Sequence, residues 1–310
     1  MRRAVIDVGS NSVLLLVSED RDGVWVPIHE NTSVTALGEG TKQTGLLSEA
    51  AMERTLAAVH RFSNEAKGLG VEEIVIGATM AARIATNRDD FLARAARQGT
   101  PMMILSGEQE AQLGFEAVVN DPAFHDQDRI SIVDPGGHST ELVTADRVGS
   151  EWNVEFRRSY PVGSLALKST IFPNERSGGL EMLKGAAALD EEIGLCYRPN
   201  ACGTVVVLGA AGTNLVSLRE KLSEWRPDIV HEAILTYEEI SRAVGNLMPM
   251  SDSERAALVG MEKGREKTIH LGALILERFL FALRAEFCYV SVRGWRHALL
   301  ENPRLESISS

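Results

Sequence analysis

The chain has 310 residues, of which 44% are hydrophobic and 24% are charged, and its formal net charge is −11. These proportions are ordinary for a globular protein, and the length exceeds that of a usual single core, so two domains are expected. The acidic balance argues against a general nucleic-acid binder. A polyanionic ligand would be repelled unless a local basic patch or a divalent cation compensated for this charge.

The apolar segments do not have the pattern of a signal peptide or a membrane span. Polar residues at positions 7 and 10–12 interrupt the apolar stretch that follows Arg2 and Arg3. The apolar segment 269–292 contains four charged residues, which excludes a membrane span. The cysteines, at positions 196, 202 and 288, lack CxxC spacing and indicate structural thiols in a reducing compartment. We therefore expect a cytoplasmic protein that binds neither membranes nor nucleic acid.

The first half of the chain alternates between strand and helix patterns. Predicted strands cover residues 4–7, 13–18, 24–30, 73–78 and 101–105. Predicted helices run from a Ser48 cap to about residue 67, over 89–98, and from a capping box formed by Ser106 and Gln109 to about residue 119. The polar segment 120–128 then predicts the boundary between a first domain, residues 1–122, and a second, residues 123–310.

The second half repeats this plan. Predicted strands cover residues 130–134, 142–146, 152–160, 204–208 and 289–292, and predicted helices cover 180–195 and 272–284. Another capping box is predicted at Ser251 and Glu254. Strands that alternate with helices in both halves indicate an α/β architecture.

The most informative feature is a recurrence between the two halves. Aligning Asp7 with Asp134 also aligns Gly9 with Gly136 and Ser12 with Ser139. Each segment is a β-branched run that ends in Asp and is followed by a glycine-containing turn and a second apolar run. Such turns expose successive backbone N–H groups that hold anions. The recurrence predicts a duplicated fold whose halves hold a phosphate-bearing ligand and a metal ion between them.

A third candidate turn lies at a predicted strand-to-helix junction, over residues 209–214. Its Gly212 and Thr213 are placed to direct helix N-terminal amides at an anion, although the segment is equally consistent with a tight βα turn.

The ordered set of motifs resembles the exopolyphosphatase / guanosine pentaphosphate phosphatase family, in its short, two-domain form. The matching segments are residues 6–12, 37–40, 79–87, 106–111, 133–142 and 272–276. The resemblance implies two similar actin-like (ribonuclease H-like) domains with a cleft between them. It also implies a Mg²⁺- or Mn²⁺-dependent hydrolase that removes terminal phosphate from polyphosphate, or the 5′ γ-phosphate from guanosine pentaphosphate.

The resemblance assigns roles to particular residues. Glu110 takes the position of the catalytic carboxylate that orients and deprotonates water, while Glu108 is read as a structural helix-start residue. Asp134 and Glu141 take positions near the reacting phosphate and, with Asp7, near the metal, because Mg²⁺ prefers carboxylates and phosphate oxygens. The phosphate-binding residues are expected to be Gly9, Ser10, Asn11, Ser12, Arg83, Gly136, Gly137, His138, Ser139, Gly212 and Thr213.

Three positions depart from the family pattern. His138 replaces a usual glycine, Ala166 a commonly basic residue, and Lys267 a common acidic one. If the His138 ring points into the cleft, its imidazole donates to a phosphate oxygen, so we expect substrate affinity to rise as the pH falls toward about 6. If the ring points outward, the affinity should not change over this pH range. The departures at His138 and Ala166 keep open a non-catalytic regulator that binds polyphosphate or the guanosine penta- or tetraphosphate alarmones. An actin-like kinase or ATPase is the other alternative, and the family-wide motif spacing and the Glu110 helix count against it. The sequence leaves the oligomeric state open, with a homodimer as one option.

Overall fold

The computed structural model describes residues 1–194 and 202–302. Cys196 and the predicted end of the helix at Leu195 lie outside these residues. The chain divides into two compact units: the first contains Met1–Ala117 and the C-terminal segment from Trp295, and the second contains Val118–Gly294. No helix of the described residues is long and apolar enough to cross a membrane.

The first unit is built on a five-stranded mixed sheet with the order β3-β2-β1-β4-β5. Its strands are β1 (Arg2–Val8), β2 (Ser12–Arg21), β3 (Val24–Val34), β4 (Glu73–Ala78) and β5 (Met103–Ile104). Its helices are α1 (Thr41–Thr44), α2 (Glu49–Gly68), α3 (Met80–Ile84), α4 (Arg88–Arg97) and α5 (Gly107–Val119), which continues two residues into the second unit. The predicted caps are confirmed, since Ser48 accepts a hydrogen bond from the Ala51 amide and Ser106 and Gln109 form reciprocal bonds.

The second unit repeats the arrangement with one additional edge strand. Its sheet has the order β10-β11-β9-β6-β7-β8. The strands are β6 (Arg129–Pro135), β7 (Thr140–Val148), β8 (Glu151–Tyr160), β9 (Thr204–Val207), β10 (Ile234–Thr236) and β11 (Phe287–Val290). The helices are α6 (Ser164–Thr170), α7 (Gly179–Ile193), α8 (Gly209–Glu220), α9 (Pro227–Val230), α10 (Tyr237–Leu247), α11 (Asp252–Ala256) and α12 (Ile269–Leu283).

The two sheets share details as well as strand order. In both units the first strand pairs antiparallel with the second, and the second pairs antiparallel with the third. On its other side the first strand pairs in parallel with the fourth strand. The register shifts between Val17 and Ser18 in one unit and between Thr144 and Ala145 in the other, ten residues after Asp7 and Asp134 respectively. The prediction of an α/β chain with two similar actin-like domains is confirmed.

The C-terminal helix α13 (Trp295–Glu301) corrects the predicted assignment of all residues after 122 to the second domain. Trp295, Leu299 and Leu300 are buried in one hydrophobic cluster with Val5 of β1 and Leu113 of α5. Apolar burial is non-directional, so a distant segment can complete a core that its sequence neighbours do not share. The first unit is therefore made from both ends of the chain.

Candidate functional site

The two glycine turns have the same local structure. The Gly9 amide donates to the Ser12 carbonyl at 2.9 Å, and the Gly136 amide donates to the Ser139 carbonyl at 2.8 Å. A Cβ atom on Gly9 or Gly136 would lie 3.0 or 2.9 Å, respectively, from that same carbonyl oxygen. A side chain would therefore crowd the equivalent carbonyl in both turns, which favours glycine at positions 9 and 136.

The carbonyl groups of the first turn are hydrogen-bonded to the chain around it. Ser10 accepts from the Gly38 amide at 2.8 Å, and Asn11 accepts from the Thr35 amide at 3.0 Å. In a planar trans peptide the C=O and the following N–H point in opposite directions. The amides of Asn11 and Ser12 therefore point away from these segments, as an anion-binding nest requires.

The second turn is also held by hydrogen bonds from the chain around it, at the start of α6, and the one carbonyl position bonded in both turns is Ser10 and its counterpart Gly137. The Gly136 carbonyl accepts from Ser164 at 3.0 Å, and the Gly137 carbonyl accepts from Leu165 at 2.8 Å. The amides of Gly137 and His138 consequently point away from α6.

Gly163, which precedes α6, allows this contact. A Cβ atom at position 163 would lie 2.4 Å from the Gly137 carbonyl and from the His138 nitrogen.

The His138 side chain is itself buried, with the residue 2% exposed, so its ring is packed inside the protein and does not face solvent.

The first turn also contains polar side-chain atoms with unused hydrogen-bonding capacity. Within residues 1–194 and 202–302, Asn11 Nδ2 and Ser12 Oγ are buried and make no hydrogen bond. The neighbouring Ser10 Oγ accepts from the Ala81 amide of α3 at 3.2 Å. Buried polar atoms of this kind call for a partner from outside the protein chain, such as water or a bound ligand.

Glu110 and Arg83 lie together in the first unit. Arg83 Nη1 lies 3.4 Å from Glu110 Oε2 and donates to the Leu105 carbonyl at 2.5 Å. The Glu110 side chain is 13% exposed, whereas Glu108, two residues earlier, is exposed. The helix start of α5 therefore directs Glu110 into the protein, beside α3 and the arginine, and leaves Glu108 at the surface.

Asp134 and Glu141 face each other in the second unit. They are directly paired across β6 and β7, so their side chains lie on the same face of the sheet with Cβ atoms about 4.5–5.5 Å apart. Glu141 is buried and accepts a hydrogen bond from Ser159 Oγ at 2.7 Å. Asp134 lies against the start of α8, since a Cβ on Gly209 would be 2.8 Å from Asp134 Oδ1.

Asp7, the counterpart of Asp134, has different neighbours. It pairs with Leu14 across β2 and with Gly77 across β4, and it is buried. The duplicated turn in the first unit thus has an aspartate but has leucine where the second unit has Glu141.

No group of three or more His, Cys, Asp or Glu side chains in the described part of the chain is arranged to hold a metal by itself. Asp134 and Glu141 provide two adjacent carboxylates. This pair fits Mg²⁺, which usually takes one or two protein carboxylates and completes its shell with water and substrate phosphate.

The residues of the third predicted turn have different structural roles. Gly209 has a φ of 74° and begins α8 beside Asp134. Gly212 is a packing residue, because a Cβ there would lie 3.0 Å from Val207. Thr213 Oγ1 donates to the Gly209 carbonyl at 3.4 Å. The strand-to-helix junction therefore lies beside Asp134, but Gly212 faces the sheet.

The chain matches one known protein family over most of its length. The profile of the Ppx/GppA phosphatase family matches residues 16–304. The chain belongs to the Ppx/GppA phosphatase family. It is accordingly an enzyme of the phosphatase class of hydrolases.

Relatives of this Ppx/GppA phosphatase match it along almost its whole length. The exopolyphosphatase 2 of Mycobacterium tuberculosis is 27% identical over 296 residues, which cover 91% of each chain. The bifunctional 3-dehydroquinate synthase/phosphatase of Fusobacterium nucleatum is 28% identical over 306 residues, covering 93% of this chain but 44% of that protein. This chain thus spans less than half of the Fusobacterium protein.

A solved Ppx/GppA family member from Aquifex aeolicus has 29% sequence identity and a TM-score of 0.79. The match covers 100% of this chain and 99% of that one. The likeness therefore includes both units and is not confined to the glycine turns.

The sequence motifs of this Ppx/GppA phosphatase did not reveal Ser159 as a hydrogen-bond partner of Glu141. It stands 18 residues after Glu141 and belongs to no phosphate-binding pattern. Only the pairing of Glu141 with Ser159 across β7 and β8 brings the two side chains together.

Proposed function

We propose that this Ppx/GppA phosphatase releases terminal phosphate from inorganic polyphosphate, and that guanosine pentaphosphate is its second substrate. The observation that carries the proposal is the recurrence of the glycine turn, in which the carbonyls of Ser10 and Asn11 in one unit and of Gly136 and Gly137 in the other accept hydrogen bonds from the protein. The first turn also has buried donors without a hydrogen bond, Asn11 Nδ2 and Ser12 Oγ. Amides in this orientation suit phosphate oxygens. The exopolyphosphatase relatives support polyphosphate as the first substrate to test.

In the proposed reaction, water attacks the terminal phosphorus. A new P–O bond forms to water, the bridging P–O bond breaks, and the bridging oxygen leaves with the shortened polyphosphate. Glu110 accepts a proton from the attacking water, a role that suits a carboxylate held in fixed orientation. Arg83 fixes Glu110 through the 3.4 Å contact and contributes positive charge near the phosphate oxygens.

We infer that Asp134 and Glu141 would hold Mg²⁺ or Mn²⁺. The bound cation would supply positive charge against the phosphate oxygens, which an acidic protein of net charge −11 needs in order to hold a polyanion. Gly137 and His138 would complete the second turn as backbone donors.

The test is phosphate release, measured with malachite green, from polyphosphate and from guanosine pentaphosphate with Mg²⁺, with Mn²⁺ and after exhaustive chelation. Glu110→Gln keeps size but cannot accept a proton, so its turnover is expected to fall by about 10²–10⁴-fold. Glu108→Gln, on the same first turn of α5 but exposed, is the matched control and should retain activity. Absence of phosphate release from both substrates, or equal turnover in the two variants, would contradict the proposal.

A further inference from the structure

We propose that Ser159 is a positioning residue that holds the Glu141 carboxylate for the divalent cation, an inference that rests on the proposed function. Three side chains form one row across the second sheet, since Asp134 pairs with Glu141 and Glu141 pairs with Ser159. Directly paired residues point to the same face of a sheet. Glu141 is therefore flanked by a carboxylate on the β6 side and by a hydroxyl on the β8 side.

The Ser159 hydroxyl has a specific partner in this row. Ser159 Oγ donates to Glu141 Oε1 at 2.7 Å, a short bond of the charge-assisted kind. Glu141 is only 5% exposed, while Ser159 on the edge strand is exposed. A glutamate has more rotatable bonds than an aspartate, so a fixed donor on one oxygen restricts where the carboxylate can turn. Asp134, on the opposite side, is shorter and lies against Gly209 at the start of α8.

The first unit provides an internal comparison. The equivalent row there consists of Asp7, Leu14 and Thr32. It has a hydroxyl residue at the third position, but the middle residue is apolar, so Thr32 has no paired carboxylate to orient. Of these two rows, the one in the second unit combines a carboxylate with a hydroxyl donor.

Residues that orient metal ligands usually affect metal affinity by about 10- to 100-fold. The expected effect of Ser159→Ala is therefore a weakening of Mn²⁺ binding in this range, with the fold retained. Ser159→Thr keeps the hydroxyl and should recover most of the affinity. Thr32→Ala removes the equivalent hydroxyl of the first unit and is the matched control, with unchanged affinity.

The experiment titrates the full-length protein with Mn²⁺ alone and measures free Mn²⁺ by electron paramagnetic resonance, with circular dichroism to verify folding. Loss of affinity in Ser159→Ala, recovery in Ser159→Thr and no change in Thr32→Ala support the proposal. Equal affinity in wild type and Ser159→Ala, or no Mn²⁺ binding by the wild type, overturns it. Failure of the proposed function is seen separately, as Mn²⁺ binding without phosphate release from either substrate.

Discussion

His270 predicts a pH dependence of stability that can be tested without any substrate. It lies near the start of α12, is fully buried, and neither ring nitrogen has a hydrogen-bond partner among the described residues. Burial, followed by the positive charges of Arg255 and Lys168, lowers the pKa of His270 to about 3. Folding thus holds the imidazole neutral at pH values where the unfolded chain protonates it.

The sign follows from the two pKa values. In the unfolded chain the histidine pKa is about 6.5, so below that pH the unfolded state binds a proton that the folded state does not bind. His270 therefore leaves the free energy of unfolding unchanged above about pH 6.5 and lowers it progressively as the pH falls toward about 3. At pH 5 the difference of about 1.5 pH units corresponds to a loss of about 2 kcal/mol.

The perturbation is His270→Leu, which removes the titrating group and keeps an apolar side chain of similar size. We expect the stability difference between variant and wild type to shift by about 2 kcal/mol in favour of the variant between pH 7.5 and pH 5. Carboxylates that protonate in this range are common to both proteins and cancel in the difference.

The assay is urea denaturation of the full chain, followed by tryptophan fluorescence and circular dichroism at each pH. The two units are fitted with separate transitions, because a single free energy of unfolding is not defined for a chain that does not unfold in one step. His60→Leu, at an exposed position of α2, controls for loss of an imidazole as such. Parallel stability curves for wild type and His270→Leu from pH 7.5 to 5 would refute the reasoning.

Three further substitutions test other parts of the structure. Gly163→Ala places a Cβ 2.4 Å from the backbone of the second turn, so we expect a loss of about 1–3 kcal/mol by urea denaturation and a higher KM; a variant equal to wild type in both would show that this contact is not tight. Gly209→Ala combines a φ of 74° with a contact on Asp134, so weaker Mn²⁺ binding is expected by titration, and unchanged affinity would separate α8 from the carboxylate pair. For Asp121, burial by itself would raise the pKa, but contacts with His231, the Ala123 amide and Arg293 lower it overall. Asp121→Asn should therefore cost about 1–3 kcal/mol at pH 7, and this cost should vanish as the pH falls through the lowered Asp121 pKa; a cost that stays constant in acid would contradict the ion-pair account.

Local patterns in the sequence were sufficient to predict most of the secondary structure and the repeated glycine turn. Strand and helix types, the caps at Ser48 and Ser106, and the recurrence of Asp7 and Asp134 depend on residues close together in the chain. The equivalence of Gly9 and Gly136 was visible for the same reason, because a turn of four residues sets its own steric limits. The roles assigned to Glu110, Asp134 and Glu141 came from a family resemblance and stay predictions.

Other features depended on contacts between distant residues, which only the tertiary structure decides. Helix α13 follows the second unit in sequence but packs with β1. Burial of the Trp295 side chain is favourable against any complementary apolar surface, whatever its position in the sequence. Leu14 and Glu141 occupy equivalent positions, yet the consequence of that difference becomes clear only once the strands are paired. Ser159 reaches Glu141 through the β7–β8 register, and since a one-residue shift would reverse the face of every side chain, no local motif could have placed that hydroxyl beside the carboxylate.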